Sequence, residues 1–186
     1  VHALGTGVDR FPFELLGDRP LTCSRGASAI PIAEGVLTMM LAFEKRVPDV
    51  WIHDVPTKDQ ERRHLGSLHG RTLGLVGIGG IGAAVAERAR PFGMRMLALR
   101  RRSGIAGPAG VEITGSITEL VASSDHVVIA APATPETRGL FDDALFAVMK
   151  PGAHLVNVAR GVIVDQEALR RALDTGRVAM ASLDVL

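Results

Sequence analysis

Apolar residues are distributed along this chain in two alternating patterns. Short, mostly apolar runs occupy residues 73–76, 94–99, 126–131, 153–158 and 178–185, with a briefer one at 111–113. Between them, apolar residues recur every three or four positions, at 83–89, 116–122, 141–149 and 166–173. The first pattern suits strands and the second suits helices that bury one face. Residues 127–131 are apolar without interruption, as a strand covered on both faces requires. Ahead of these, residues 29–47 read as one long helix. Ile30, Ala33, Leu37, Met40 and Leu41 recur at helical spacing, and Pro48 ends the pattern. Met39 and Met40 read as core filling. Strands that alternate with helices predict the α/β class with a doubly wound parallel sheet. No internal repeat or low-complexity tract interrupts it.

The punctuation agrees. Ser116-Ile117-Thr118-Glu119 has capping-box spacing, and Asp165 can cap the helix after it, which Gly176 ends. Pro91 and Pro151-Gly152 close the helices before them. Residues 104–110 and 132–137 read as loops, 159–161 as a turn and 162–164 as an extended piece. Residues 49–70 form a polar connector anchored by Trp51, with Lys58, Arg62, Arg63, His64 and His69 along it. Residues 21–23 read as a strand. Gly5-Thr6-Gly7 breaks an apolar run, and a plain turn is favoured slightly over a loop that offers N–H groups to an anion.

The stretch on which chemistry centres is residues 72–82, TLGLVGIGGIG. An apolar strand runs into Gly77-Ile78-Gly79-Gly80-Ile81-Gly82, and a small-residue helix follows at once. The glycines stand as G-x-G-x-x-G, at Gly77, Gly79 and Gly82. Such a loop permits a tight turn, a close approach of backbone to a pyrophosphate, and close packing of the helix. The helix start then presents free N–H groups to the phosphates. The spacing alone is weak; the strand before it and the helix after it make it a dinucleotide site.

Composition narrows the partners. Lys+Arg number 21 against 20 Asp+Glu, so no bulk charge draws the chain to nucleic acid or membrane. Cys23 is the only cysteine, which excludes an internal disulfide framework and a cysteine-based zinc cluster and fits a reducing, cytoplasmic compartment. The longest apolar run ends at Glu87, short of the ~18 residues of a membrane span. The chain opens on Val1 rather than Met and closes straight after a strand-like run, so a piece of a longer protein is expected.

Which dinucleotide is read at the end of the second strand. An acidic residue ~20 positions beyond the glycine loop ordinarily holds the adenosine ribose 2′-OH. Here Arg100-Arg101-Arg102 stands in its place. Guanidinium groups match a 2′-phosphate in a bidentate way, so NADP (as NADPH) is expected in preference, with NAD still possible. A run this short does not suit nucleic-acid binding.

Several motifs then come in a fixed order: Gly5-Thr6-Gly7-Val8-Asp9, Ala33-Glu34, the glycine loop, Ser124-Asp125-His126-Val127-Val128, Pro132-Ala133-Thr134-Pro135-Glu136-Thr137-Arg138-Gly139, Met149-Lys150-Pro151-Gly152-Ala153, Asn157-Val158-Ala159-Arg160-Gly161 and Leu183-Asp184-Val185. Together they closely resemble the D-isomer-specific 2-hydroxyacid dehydrogenases over essentially the whole chain, most specifically at residues 157–161. The resemblance implies a Rossmann-type NAD(P)-binding domain over residues 28–186, incomplete at its C-terminal end. Residues 1–27 would be the end of a second, flavodoxin-like substrate domain and the hinge. It also implies a homodimer through the helix 29–47. Arg160 would hold the substrate's carboxylate and carbonyl oxygen, a task that suits a guanidinium fork. Thr6 and Gly7 would offer N–H groups to the carboxylate, and Gly80 and Ile81 would meet the pyrophosphate. Pro132 and Thr137 would line the cofactor, and Val158 and Asp184 would lie near the nicotinamide.

One part of the family pattern is not matched. Catalysis in the family uses a histidine acid/base paired with a glutamate, both beyond the motif that Asp184-Val185 matches here. His126 and His154 fall at strand positions, where a packed histidine is expected. His53, His64 and His69 sit in the connector, and His2 begins the chain. The expected function is hydride transfer between NAD(P) and a small 2-oxo or 2-hydroxy acid, of the glyoxylate or hydroxypyruvate reductase kind. The fragment itself is expected to be inactive, and no metal is expected. The alternatives are a dinucleotide-sensing, corepressor-like binding protein and a phosphite or formate dehydrogenase relative.

Overall fold

The computed structural model describes residues 1–5, 7–8, 11–47, 65–100 and 107–185. Thr6, Asp9, Pro48, Trp51, His53, Lys58, Arg62, Arg63, His64, Arg101 and Arg102, all invoked above, lie outside the described residues.

Two short strands come first, β1 (His2–Ala3) and β2 (Thr22–Cys23), paired in parallel. Helix α1 (Ala29–Glu44) follows. Then come β3 (Thr72–Val76), α2 (Gly80–Ala89), β4 (Arg95–Leu99), β5 (Val111–Thr114), α3 (Ile117–Ser123), β6 (His126–Ile129), α4 (Asp143–Val148), β7 (Ala153–Asn157), α5 (Gln166–Asp174) and β8 (Val178–Leu183). Strands β3 to β8 form one parallel sheet in the order β5-β4-β3-β6-β7-β8. Counted from β3 as first, this is 3-2-1-4-5-6, the order of doubly wound dinucleotide-binding folds. The chain reverses direction across the sheet between β3 and β6, and ligands of such sheets bind outside the strand ends at that point.

The central strands are buried on both faces and alternate between two cores. Leu73 and Leu75 of β3, Met96 and Ala98 of β4, Val128 and Val156 pack with Ala33, Val36, Leu37 and Met40 of α1 and with Val85 and Ala89 of α2. Val76, Leu97, Val127, Ile129 and Leu155 pack with Leu120, Leu145, Phe146 and Leu169 of α3, α4 and α5. Burial of each such side chain contributes roughly 1.5–3 kcal/mol. Gly74 lets α3 press against β3, since a Cβ there would stand 2.6 Å from Leu120 Cδ2.

Several expected boundaries shift for local reasons. Helix α1 stops at Glu44 rather than at 47, and Arg46 takes a left-handed φ of 53° there. Ile30, expected in the core, is 53% exposed, while Met40 is fully buried. Helix α2 starts inside the glycine motif, at Gly80, and ends at Ala89 as expected, with Pro91 in a following 3-10 turn (Arg90–Phe92) that left-handed Gly93 closes. Helix α4 starts at Asp143; Phe141 instead bridges Val164, and Asp142 caps the helix. The expected extended piece 162–164 is mostly a 3-10 turn (Gly161–Ile163). Asp165 caps as expected, its Oδ1 accepting from the Ala168 N–H at 3.0 Å, and Ser116 Oγ accepts from the Glu119 N–H at 3.1 Å. The box is not closed, because the Ser116 N–H donates to Thr114 Oγ1 and the Glu119 carboxylate accepts from that same hydroxyl.

Candidate functional site

One register line crosses the sheet near the C-terminal ends of its strands. Thr114, Leu99, Val76, Ile129, Asn157 and Leu183 stand side by side on β5, β4, β3, β6, β7 and β8. The residue after each is Gly115, Arg100, Gly77, Ala130, Val158 and Asp184. Four of those six are sequence-predicted site residues. The fold therefore delivers Gly77, Arg100, Val158 and Asp184 to one rim, although up to 107 positions separate them in sequence (184 − 77).

The β5, β4, β3 and β6 part of this rim borders a cleft of about 760 Å³, which neither Val158 nor Asp184 lines. Gly77, Ile78 and Gly79 form one wall, and Leu99, Arg100, Gly115 and Ile117 another. Ala130, Ala131, Pro132, Thr134, Glu136, Thr137 and Leu140 close it. Each glycine of the motif has a separate reason. Gly77 has φ 103°, and a Cβ would meet the backbone of Ala130 and Ala131 at 2.9 Å. At Gly82 a Cβ would meet the Gly77 carbonyl oxygen, so the helix closes on the turn itself rather than on the strand. At Gly79 a Cβ would meet nothing within 4 Å, and the backbone lies open to the cleft. Helices α3, α4 and α5 are capped by Ser116, Asp142 and Asp165, but no side chain caps α2. Its first-turn N–H groups are thus available to an anion. This open backbone, the uncapped helix and the half-buried Arg100 fit the phosphates of a dinucleotide, and Leu99, Ile117 and Leu140 offer apolar surface to a flat ring.

The loop over the cleft is held by Thr137. Its Oγ1 donates to the Pro132 carbonyl oxygen at 2.9 Å and accepts from the Thr134 N–H at 2.7 Å. Gly80, Ile81 and Gly82 form the first turn of α2, next to the cleft-lining Gly79 but not themselves in the cleft wall, with Ile81 packed on the α1 core. Val158 is buried, and the Asp184 N–H donates to the Asn157 carbonyl oxygen at 3.0 Å. Gly7 is exposed; Thr6 and Arg101 lie outside the described residues.

Arg160 is half-buried in the turn after β7. Asn157 builds that turn. Its Nδ2 donates to the Arg160 carbonyl oxygen at 3.0 Å and its Oδ1 accepts from the Ala159 N–H at 3.0 Å. With its own carbonyl on Asp184, Asn157 fixes the turn that carries Arg160 and the end of β8 together. In the sequence Asn157 stands only as part of a motif, without a task; an amide beside a turn is the local signal of this role. Arg160 does not line the 760 Å³ cleft. It stands next to a second, apolar groove of about 430 Å³ between α5 and β8, which Asn157, Gly161, Leu169, Leu173 and Leu183 border.

Asp125 was also missed. It accepts the Thr72 N–H at 2.8 Å and pairs with Lys150 at 3.1 Å, tying the starts of β3 and β7. Partial burial opposes its ionisation, but the Thr72 N–H, Lys150 and Arg71 outweigh it and hold the carboxyl below its ordinary range. His126 and His154 are packed, as expected, and both are fully buried.

Fold and cleft define a Rossmann-type nucleotide-binding domain. Residues 37–186 match the model of the D-isomer specific 2-hydroxyacid dehydrogenase family, NAD binding domain, and the chain belongs to that family. It is 34% identical over 186 residues to the D-3-phosphoglycerate dehydrogenase of Methanocaldococcus jannaschii, covering 97% of this chain and 36% of that protein. It is 45% identical over 120 residues to the glyoxylate reductase of Thermococcus onnurineus, covering 63% of this chain and 36% of that protein. Among solved structures, the holo D-mandelate dehydrogenase of Rhodotorula graminis superposes with a TM-score of 0.86 at 29% identity, over 99% of this chain and 57% of that one. The chain spans about a third of the length of the curated relatives it matches. No described helix is long and apolar enough to cross a membrane.

Proposed function

We propose that the protein containing this chain transfers a hydride between a nicotinamide dinucleotide, NADP in preference to NAD, and a small 2-oxo or 2-hydroxy acid of the glyoxylate or hydroxypyruvate kind. In this reading residues 28–186 are the nucleotide domain, residues 1–27 end a substrate domain, and the intact protein is a cytoplasmic homodimer through α1. The observation that carries the reading is the rim of strand ends, with Arg100 at the end of β4 in the cleft wall where an acidic residue would suit a free ribose.

Gly77, Gly79, Gly80, Ile81 and Gly82 would hold the pyrophosphate, and Arg100 with Arg101 the 2′-phosphate. Pro132 and Thr137 would line the cofactor, and Val158 and Asp184 would border its nicotinamide. When bound, the cofactor supplies or accepts the hydride. Arg160 would bind the substrate carboxylate, with Thr6 and Gly7 offering N–H groups beside it. Its guanidinium would also polarise the 2-oxo group, drawing charge onto the oxygen as the carbon is reduced.

Titration of the intact protein with NADPH and NADH tests the cofactor reading. NADPH is expected to bind more tightly, and Arg100→Asp to weaken NADPH by about 10- to 100-fold while sparing NADH. Equal affinities unchanged by the substitution refute it. Arg160→Ala is expected to lower kcat/KM for 2-oxo acids by roughly 10²–10³-fold with dinucleotide affinity intact; full activity in that variant removes the role of Arg160.

A further inference from the structure

Behind the cleft, at the other end of the sheet, lies a polar line that the site does not use. Glu44, at the end of α1, is 5% exposed. Its Oε1 is 3.0 Å from His126 Nε2 and 3.3 Å from Arg71 Nε. His126 Nδ1 is 3.2 Å from His154 Nδ1, and His154 Nε2 is 2.9 Å from Ser182 Oγ. Both imidazoles are fully buried, and the Phe43 ring stacks on His154 with centroids 4.6 Å apart. Side chains from α1, β6, β7 and β8 thus make one unbroken hydrogen-bonded line.

Its polarity follows from proton counting. Two ring nitrogens bond only if one of them carries hydrogen. Glu44 Oε1 faces the Arg71 guanidinium, which can only donate, so this oxygen is an acceptor and His126 Nε2 donates to it. If His126 is neutral, its Nδ1 is bare and accepts from His154 Nδ1–H. His154 Nε2 then accepts from the Ser182 hydroxyl. One added proton on His126 would reverse every bond beyond it. The charged groups facing the pair are Glu44 on α1, Arg71 before β3, and Asp125 and Lys150 at the starts of β6 and β7. Burial selects the neutral state: it lowers the pKa of His154 to about 3, and it lowers that of His126 although Glu44 opposes this.

We propose that the Glu44–His126–His154–Ser182 line positions, from the far end of the sheet, the first turn of α2 beside the cofactor cleft and the Asp184 end of the strand rim. Helix α1 is a rod of about 24 Å. Glu44 pins its far end, and its first residue, Ala29, lies against Gly80, with its Cβ 3.8 Å from where a Gly80 Cβ would stand. Strand β8 pairs with β7 alone among the described strands. Ser182 is its inward tether, two residues before Asp184. Glu44, His126, His154 and Ser182 are positioning residues in this account; it rests on the reading of the cleft as a nicotinamide dinucleotide site.

Two measurements on the intact protein test it. Selective ¹⁵N-histidine labelling reads the tautomers directly. An Nε2–H tautomer is expected for His126 and an Nδ1–H tautomer for His154 at pH 8. An imidazolium at pH 8, or the same tautomer on both, overturns the line as drawn. NADPH titration of His126→Leu, Ser182→Ala and the double variant reads the positioning. His126 and Ser182 share no direct bond, so independent local roles give multiplying effects on Kd. The line requires each single change to weaken binding about threefold or more, the double to be no worse than the weaker-binding single, and Ser182→Thr to bind like the parent. Multiplying effects, or a Ser182→Thr variant as weak as Ser182→Ala, overturn the positioning role. Absence of dinucleotide binding in the parent itself refutes the cofactor reading, and positioning with it, while the tautomers still decide whether the line exists.

Discussion

At the scale of single residues, the glycine loop separates two kinds of necessity. Gly82 is required by the fold, because a methyl group there collides with the Gly77 carbonyl oxygen. Gly79 is not required by the fold, because its methyl would enter open space beside the cleft. Gly82→Ala is therefore expected to destabilise the domain by about 1–3 kcal/mol, read as a lower urea midpoint. Gly79→Ala is expected to cost less than ~1 kcal/mol of stability but to weaken dinucleotide binding at least about tenfold. If both alanines shift stability equally, the assignment of Gly79 to the pyrophosphate fails. The motif was legible in sequence because its spacing is local. Asn157 and Asp125 were not, because their work is done on partners that the chain brings near only after folding: Asp184 for the one, Thr72 and Lys150 for the other.

At the scale of elements, the buried histidine pair makes the sheet acid-sensitive. Both imidazoles have folded pKa values below the ordinary 6.5, with desolvation as the leading cause. The unfolded chain therefore takes up protons that the folded one refuses. The stability that His154 contributes is complete above about pH 6.5 and is lost as pH falls from there towards 3, at up to about 1.4 kcal/mol per pH unit, and His126 acts in the same direction. Urea unfolding at pH 7.5, 6.5, 5.5 and 4.5 is expected to show this slope in the parent and a flatter one in His154→Leu. A parent whose stability does not change over that range contradicts the buried neutral pair. Asp125 adds its own loss only below its ordinary value of 3.8. The helix caps give a second expectation at this scale: Asp165→Ala should cost about 0.5–2 kcal/mol, since the Ala168 N–H loses its acceptor. Most elements were legible from periodicity and caps. The misses fall where a local signal competes with another: left-handed Arg46 before Pro48 at the end of α1, and a bridge from Phe141 to Val164 in place of a first helical turn.

At the scale of the molecule, alternation of strand and helix predicts the parallel sheet, but the order β5-β4-β3-β6-β7-β8 comes from crossovers that no single segment encodes. That order puts the residues after β3, β4, β7 and β8 on one rim, so residues proposed for the site and scattered in sequence share one edge of the sheet. The exposure of Ile30 on α1 belongs to this scale too, and agrees with the proposed dimer. Ile30→Asp in the intact protein is expected to shift sedimentation from dimer to monomer without lowering the unfolding midpoint of the domain; an unchanged dimer places the interface elsewhere.

The shared register line also governs how this chain can change in length. A residue removed from inside β4 or β7 would draw its rim position back by about 3.3 Å and turn every following side chain to the opposite core. One added after residue 106, in the turn before β5, or between Pro132 and Thr137, would leave all six strand ends in line. Changes in length are thus expected to be tolerated in the loops and not in the strands, which act as a fixed ruler against which any lengthened loop must still present its contacts.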